Sequence, residues 1–219
     1  MNALIFGCGS KFGLSVRHEL ETSGYTVWGV TGQPTESEQL LHVNWDVCDI
    51  ADFEKFLRKL PSIDLIIFNQ NATGVTDNHW KLSSVHVFEI WKNLKNWKQN
   101  YYVNCILPTQ VLQTLSTSGK IQEHACVLWM LSLSMFGHQH TPPDYIGQKY
   151  QNYINLQKFA LLNNQTFLGI CPGSLTPNNY TAKANLLISF IQHTTSEHSG
   201  KFFVLDDSTQ TFILYPVDQ

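Results

Sequence analysis

The sequence predicts an α/β fold, in which a doubly wound parallel sheet of about seven strands carries helices on both faces. Two observations support this prediction. Short, continuous apolar runs recur along the 219 residues, and segments of helical length and pattern separate them. Strands that are covered on both faces read as unbroken apolar runs, which is typical of parallel sheets. Regular alternation of strand and helix predicts right-handed crossovers within one sheet.

Each predicted element follows from its local sequence. The strands are predicted at residues 3–6, 25–30, 41–45, 65–68, 126–131, 166–170 and 201–205. The first helix ends near Gly24, because glycine readily adopts the left-handed conformation that closes a helix. The second helix begins after Asp49, a candidate N-cap, and ends at Pro61. Further helices are predicted over residues 84–116, 145–163 and 181–193. No linker, repeat or low-complexity tract interrupts this alternation, so residues 1–219 are predicted to form one domain.

Composition and charge exclude several classes of function. A hydrophobic content of 43% with 14% charged residues indicates a well-buried globular protein. The net charge of −3 argues against nucleic-acid binding, which usually requires a basic surface. No apolar stretch is long enough to cross a bilayer, and the N-terminus lacks the pattern of a signal peptide, so a cytoplasmic protein that does not bind membranes is expected. No metal site is expected either, because His138 and His140 lack a nearby third ligand.

The cysteines indicate a reducing compartment. They are odd in number and lack the CxxC spacing, and most lie in or beside apolar segments. Buried, reduced thiols are therefore expected rather than disulfides or metal ligands. The five positions are Cys8, Cys48, Cys105, Cys126 and Cys171.

A glycine cluster lies directly between the first strand and the first helix, in the segment IFGCGSKFGLSV. Glycines at this position allow a tight turn and bring backbone N–H groups close to a pyrophosphate, whose charge the helix N-terminus favours. The alternative is that the glycines serve only the geometry of the turn. The candidate phosphate-binding residues are Gly7, Gly9, Ser10, Lys11, Phe12 and Gly13.

The end of the second strand favours NADP(H) over NAD(H). An acidic residue at this point would bind the adenosine ribose and repel a 2′-phosphate. The sequence has Thr31 and Gly32 there, with no acid, and Lys11 adds a positive charge to the glycine loop. The alternative is that the Lys11 side chain simply points into solvent.

The segment DYIGQKY places Tyr145 four residues before Lys149 in a predicted helix. One helical turn brings the two side chains to the same face. An ammonium group close to a phenol lowers the pKa of the phenol from its ordinary value of about 10, which suits proton transfer near neutral pH. The alternative is that the two residues are neighbours on a solvated helix.

The order of these features resembles the short-chain dehydrogenase/reductase family, along nearly the whole chain. Asn104 lies 28 residues before Ser132, and Ser132 lies 13 residues before Tyr145, as in that family. The resemblance implies a Rossmann-type fold and a site in which Tyr145 transfers a proton, Lys149 holds the nicotinamide ribose, Ser132 binds the substrate oxygen and Asn104 anchors a water. In the alternative interpretations Ser132 ends a strand and Asn104 is bonded to backbone.

The resemblance also implies the cofactor contacts. The family's glycine motif aligns with Gly7, Lys11 and Gly13, so lysine replaces its middle glycine. The family's other cofactor elements align with DVCD, NQNATG and CPGSLTP, which contain the following candidates: Asp46, Val47, Asn69, Gln70, Asn71, Pro172, Gly173 and Leu175. The segment after this last element is short, so the loop that covers the substrate in the family is missing.

The sequence therefore predicts an oxidoreductase that transfers a hydride between NADP(H), or less favourably NAD(H), and a small-molecule carbonyl or alcohol. The resemblance implies a homodimer or homotetramer. Two alternatives remain open. The chain could be a dinucleotide-binding regulatory or scaffold protein with little turnover, as the altered glycine loop and the missing cover suggest. It could also be a dehydratase or isomerase on the same fold.

Overall fold

The strands form one mixed sheet. The computed structural model describes residues 1–32, 34–43, 50–70, 101–131 and 143–215, without the side chains of residues 50–52 and 143–146. Its strands are β1 (Asn2–Phe6), β2 (Thr26–Thr31), β3 (Leu40–His42), β4 (Ile63–Phe68), β5 (Ile121–Met130), β6 (Thr166–Cys171), β7 (Lys201–Asp206) and β8 (Thr211–Leu214). Within these ranges the order is β3-β2-β1-β4-β5-β6-β7-β8, parallel except for β8. This order confirms the predicted doubly wound fold.

Helices cover both faces of the sheet. They are α1 (Lys11–Thr22), α2 (Ile50–Lys59), α3 (Leu107–Thr117), α4 (Pro143–Leu162) and α5 (Tyr180–Gln192). Helices α1 and α5 pack together on one face, whereas α3 contacts both α2 and α4 on the other. No helix in the described ranges is both long enough and apolar enough to cross a membrane.

Strand β1 shows why the apolar runs predicted a sheet covered on both faces. Its residues Ala3 to Phe6 are completely buried. Leu4 and Phe6 pack into the cluster under α2, α3 and α4, while Ala3 and Ile5 pack into the cluster under α1 and α5. Successive side chains of a strand point to opposite faces, so a strand between two helical layers needs an apolar residue at every position.

Several element boundaries differ from the prediction. Strand β5 begins at Ile121, before the predicted residue 126, because its first part carries exposed polar side chains that give no apolar pattern. Strand β8 was not predicted; it is short and mostly exposed, so no buried face marks it in the sequence. Gly24 has a φ of 85° and its N–H bonds to the Glu21 carbonyl, which confirms the predicted helix end. The predicted cap Asp49 lies outside the described residues.

A π-helical turn, Tyr102–Ile106, precedes α3 and was predicted as ordinary helix. Residues 84–100 of that predicted helix lie outside the described part. The wider turn has a cause in the sequence. Pro108 lacks the N–H group that would bond to the carbonyl of Asn104 in an α-helix, and its ring would clash with that carbonyl. A π-helical turn at this point avoids both problems, and such turns often occur at functional sites.

The thiols are placed as the composition suggested. Cys8, Cys105 and Cys171 are buried, and Cys126 is half-buried. Burial raises the pKa of Cys8 and of Cys105 to about 11, so both thiols are protonated at neutral pH. Cys48 lies outside the described residues, as do His138 and His140.

Candidate functional site

The site lies where the strand order reverses, between β1 and β4. In doubly wound sheets the loops at the carboxyl ends of the strands separate at such a reversal and leave a crevice for ligands. Here the glycine loop after β1 meets the segment after β4. The Asn69 side-chain amide donates to the Gly7 carbonyl at 3.3 Å and to the Ser10 hydroxyl at 3.1 Å. Three residues that the sequence predicted as cofactor contacts are thus brought together.

Backbone conformation and close backbone contacts require glycine at two positions of the loop. Gly7 has a φ of 76°, a left-handed conformation that side chains disfavour. A Cβ atom on Gly13 would lie 2.2 Å from the Gly7 carbonyl oxygen and 3.0 Å from the Cys8 Cα atom. Ser10 caps α1, since its hydroxyl accepts the Gly13 N–H at 3.0 Å. Turn geometry therefore accounts for Gly7 and Gly13, as the alternative interpretation held.

The same loop also offers donors to an anion. Among the described contacts, the backbone N–H groups of Gly9, Lys11 and Phe12 meet no protein acceptor. They lie at the N-terminus of the 12-residue helix α1, where the helix dipole favours negative charge. The Lys11 side chain is exposed and adds a cation that can reach toward the same place. The donor set fits a pyrophosphate group.

The end of β2 has no carboxylate. Thr31 is 3% exposed, its carbonyl accepts the Val43 N–H at 2.8 Å, and Gly32 is exposed. Nothing at these two positions would repel a 2′-phosphate. Three other predicted contacts, Asp46, Val47 and Asn71, lie outside the described residues.

Lys149 is buried at the other side of the crevice. Its side chain is 2% exposed, and its ammonium donates to the Gln70 carbonyl at 3.1 Å. The ammonium also lies 4.2 Å from the centre of the Trp129 ring, a cation–π contact. Burial lowers the pKa of Lys149 from 10.5 to about 7, and the neighbouring Cys105 is a smaller, opposing influence on it. A buried lysine with a strongly shifted pKa in a crevice is typical of a functional site.

This burial predicts a pH-dependent contribution to stability. Between pH 7 and 10.5 the unfolded chain holds the Lys149 proton and the folded protein releases it, so unfolding takes up protons. The free energy of unfolding that Lys149 contributes therefore rises with pH across this window. In urea unfolding, we expect the free energy of unfolding of the wild type, minus that of Lys149→Met, to increase between pH 7 and pH 10. The same change at exposed Lys158 on α4 is the control, and an equal pH dependence in both variants would contradict the prediction.

Asn104 lies in the π-helical turn, which packs against α4. Its side chain is completely buried, and its amide donates to the Gln148 side-chain oxygen at 3.4 Å. Gln148 is the residue directly before Lys149, so Asn104 is held beside the lysine. Gln70, whose backbone carbonyl accepts from Lys149, also donates from its side-chain amide to the Val103 carbonyl at 3.3 Å. The described hydrogen bond of the Asn104 side chain is with a side chain on α4, and its role stays a prediction.

The sequence did not indicate Trp129 or Gln148. Trp129 is an aromatic residue within the predicted strand 126–131, where the structure buries it completely. Its indole N–H donates to the Lys149 carbonyl at 3.3 Å, so Trp129 contacts both the backbone and the ammonium of Lys149. Gln148 resembles any polar helix residue in the sequence, and only the packing of α4 against the π-helical turn gives it a role.

Two predicted catalytic residues are described incompletely or not at all. Ser132 lies outside the described residues, directly after the last described residue that follows β5. Tyr145 lies in α4 one turn before Lys149, but its side chain is not described. Their assignment as catalytic residues stays a prediction from the sequence.

The turn after β6 contains the remaining predicted contacts. Gly173 has a φ of 70°, and Leu175, at 36% exposed, follows it. The Lys183 ammonium donates to the Pro172 carbonyl at 3.0 Å and pairs with the Asp207 carboxylate at 2.7 Å. Sequence reasoning missed this lysine, because it lies in the predicted helix pattern of α5 among ordinary helix formers.

Solved structures of short-chain dehydrogenases/reductases share the fold of this chain. A short chain dehydrogenase family protein from Francisella tularensis has a TM-score of 0.70 at 15% identity, covering 94% of this chain and 96% of its own. A short-chain dehydrogenase/reductase from Brucella ovis, in complex with partially ordered NAD, has a TM-score of 0.69 at 14% identity, with 94% and 99% covered. A 3-oxoacyl-(acyl-carrier protein) reductase from Brucella melitensis, in complex with NAD, has a TM-score of 0.73 at 12% identity, with 95% and 96% covered.

These similarities confirm at the level of fold the resemblance on which the sequence prediction drew. No protein-family model matches the chain, and no curated protein matches it in sequence. At such low identities the chain shares a fold with these proteins, and its activity has to be argued from its own residues.

Proposed function

We propose that the protein is an NAD(P)(H)-dependent oxidoreductase that reduces a carbonyl group or oxidises an alcohol. The burial of the Lys149 ammonium against the Gln70 carbonyl, at the carboxyl edge of the sheet, carries this proposal. A buried charge costs free energy, so a lysine at this place calls for a function. The glycine loop on the near side of the crevice and the structures in complex with NAD support a nicotinamide dinucleotide as the cofactor.

In the proposed site each residue has one task. The N–H groups of Gly9, Lys11 and Phe12 bind the pyrophosphate, and Pro172, Gly173 and Leu175 face the nicotinamide half. When bound, the reduced cofactor supplies the hydride. Tyr145 gives a proton to the oxygen that develops negative charge, and Ser132 donates a hydrogen bond to the same oxygen.

Lys149 and Asn104 assist the proton transfer from Tyr145. A charged Lys149 lowers the pKa of the Tyr145 phenol, which lies one turn earlier on α4. Because the pKa of Lys149 is about 7, its charge changes most strongly around neutral pH. Asn104, held through Gln148 beside the lysine, anchors the water that restores the proton.

Lys11 is proposed to favour NADP(H). It is exposed at the first turn of α1, and the end of β2 has no carboxylate at Thr31 or Gly32. Replacing Lys11 with alanine is therefore expected to weaken the affinity for NADPH about tenfold, as loss of a charge-assisted contact does, and to weaken that for NADH less. Fluorescence titration with each cofactor measures both affinities. An equal loss for both would refute the 2′-phosphate contact.

Two assays test the proposed function. The first is titration of the wild type with NADPH and NADH, in which quenching of the protein's tryptophan fluorescence and enhancement of the cofactor's report binding. The second follows NADPH absorbance in the presence of a panel of aldehydes, ketones and quinones. Binding with oxidation of NADPH by at least one substrate is the expected result. A protein that binds neither cofactor does not have this function.

A regulatory protein that binds a dinucleotide with little turnover is the second candidate. The observations that favour it are the exposed Lys11 in the glycine loop, where the family motif has glycine, and the short loop between β6 and α5. Such a protein would bind NADPH tightly and fail to oxidise it with every substrate of the panel.

A homodimer or homotetramer in the cytoplasm is proposed as well. Helix α4 exposes large apolar and aromatic side chains, of which Tyr150 is 51%, Leu161 56% and Leu162 85% accessible. Exposed apolar surface of this kind favours association with a second copy. Light scattering on the purified protein measures its mass in solution and distinguishes a monomer from a dimer or a tetramer.

A further inference from the structure

Lys183 is a buried cation with two specific partners. Its side chain is 4% exposed, although lysine is among the residues least often buried. The ammonium donates to the Pro172 carbonyl at 3.0 Å and lies 2.7 Å from the Asp207 carboxylate. A Cβ atom on Gly173 would lie 3.1 Å from the same nitrogen, so the ammonium packs directly against the turn.

Three elements meet at this contact. Pro172 follows β6, Lys183 lies in the first turn of α5, and Asp207 follows β7. The turn between β7 and β8 is itself held by hydrogen bonds: Asp206 accepts the Ser208 N–H at 2.9 Å, and the Gln210 side chain donates to the Asp207 carbonyl at 2.6 Å. These hydrogen bonds hold the backbone around Asp207, and Lys183 links the Asp207 carboxylate to the turn after β6.

The loop between β6 and α5 is also held by hydrogen bonds within the loop. The Asn179 side chain accepts the Thr176 N–H at 2.8 Å and donates to the Ser174 carbonyl at 3.0 Å. A loop that is tied to itself and to Lys183 has little freedom to close over a ligand.

The place of the turn gives this link a consequence for the ligand. A dinucleotide lies across the reversal of strand order, with one half over β1 and β2 and the other toward β4, β5 and β6. Pro172 and Gly173 end β6, so they border the second half, which holds the nicotinamide if the proposed function is right.

We propose that Lys183 is a positioning residue: together with Asp207 it fixes the Pro172–Gly173 turn against the nicotinamide half of the bound dinucleotide. The inference rests on the proposed function. It assigns no contact with the cofactor to Lys183 itself, since its ammonium is occupied by the Pro172 carbonyl and the Asp207 carboxylate.

A pair of ligands separates this role from a merely structural one. NADPH and 2′-phospho-ADP-ribose have the same adenosine and pyrophosphate parts, and only NADPH carries nicotinamide. In Lys183→Met the Pro172 carbonyl loses its donor, so affinity for NADPH is expected to fall about tenfold. Affinity for 2′-phospho-ADP-ribose should stay as in the wild type. Isothermal titration calorimetry measures both, and Lys201→Met, an exposed lysine at the start of β7, is the matched control.

Hydrogen exchange gives a readout without any ligand. In Lys183→Met the amides of residues 173–179 should exchange faster than in the wild type, while those of β1 and β4 stay protected. If Lys183→Met does not fold, Asp207→Asn takes its place, because Asp207 is 57% exposed and its replacement disturbs less of the core. It is expected to show the same selective loss to a smaller extent.

The outcomes distinguish the two proposals. A wild type that binds neither ligand overturns the proposed function and this inference with it. A wild type that binds both, with a variant that loses both equally or neither, overturns the positioning role and leaves the proposed function standing. Unchanged exchange in residues 173–179 also overturns it.

Discussion

Replacing Tyr145 with phenylalanine is expected to lower kcat for carbonyl reduction by about 10²–10⁴-fold, the usual contribution of a general acid. The change removes only the phenol oxygen, and Lys149 one turn later keeps its contacts with Gln70 and Trp129. The affinity for NADPH should therefore stay nearly unchanged. Steady-state kinetics with a substrate found in the panel, together with fluorescence titration, separate these two effects.

The matched control for this variant is Tyr150→Phe. Tyr150 lies on the same helix and is 51% exposed, so loss of its hydroxyl should leave kcat and cofactor affinity as in the wild type. Equal activity of Tyr145→Phe and Tyr150→Phe would remove Tyr145 from the mechanism. Equal loss in both would indicate a general effect on α4.

Replacing Gly13 with alanine is expected to cost about 1–3 kcal/mol of the free energy of unfolding, as overpacking of a close contact does. The added methyl group would lie 2.2 Å from the Gly7 carbonyl oxygen, which is backbone and cannot rotate away. The loop has to open, which displaces the N–H groups at the start of α1, so cofactor affinity should fall as well. Thermal unfolding and NADPH titration measure the two effects.

Gly147→Ala is the control for Gly13→Ala. Both glycines lie inside helices, but Gly147 is exposed and a Cβ atom there meets no atom of the described residues within 4 Å. Alanine in a helix interior is more stable than glycine by about 0.5–1 kcal/mol, so this variant should be slightly more stable than the wild type. If Gly13→Ala were as stable as Gly147→Ala, the close contact of the glycine loop would be disproved.

An element was predicted correctly where its own residues carry the pattern that defines it. The buried strands β1, β4 and β6 were predicted within one or two residues of their ends, because each has an apolar residue at nearly every position. The end of α1 at Gly24 follows from one backbone conformation. Strand β8 and the first half of β5 were missed, because exposed strands leave no apolar pattern.

The candidate site was predicted in part. The sequence picked out Gly7, Asn69, Gln70, Asn104 and Lys149, and hydrogen bonds link the first two to each other and Lys149 to Gln70. The functional roles of these five residues, like those of Ser132 and Tyr145, stay predictions. Trp129, Gln148 and Lys183 could not be selected, because nothing in a single sequence distinguishes a lysine with buried partners from one in solvent.

The sequence alone determined the order of strands and helices and the tight turn after β1, since periodicity and backbone conformation depend on neighbouring residues. The tertiary structure decided which polar groups meet. The Lys149 ammonium bonds to a carbonyl 79 residues away, and the Lys183 ammonium joins two loops that follow different strands. Such contacts arise only when distant segments pack, and burial, which shifts the pKa of Lys149, arises in the same step.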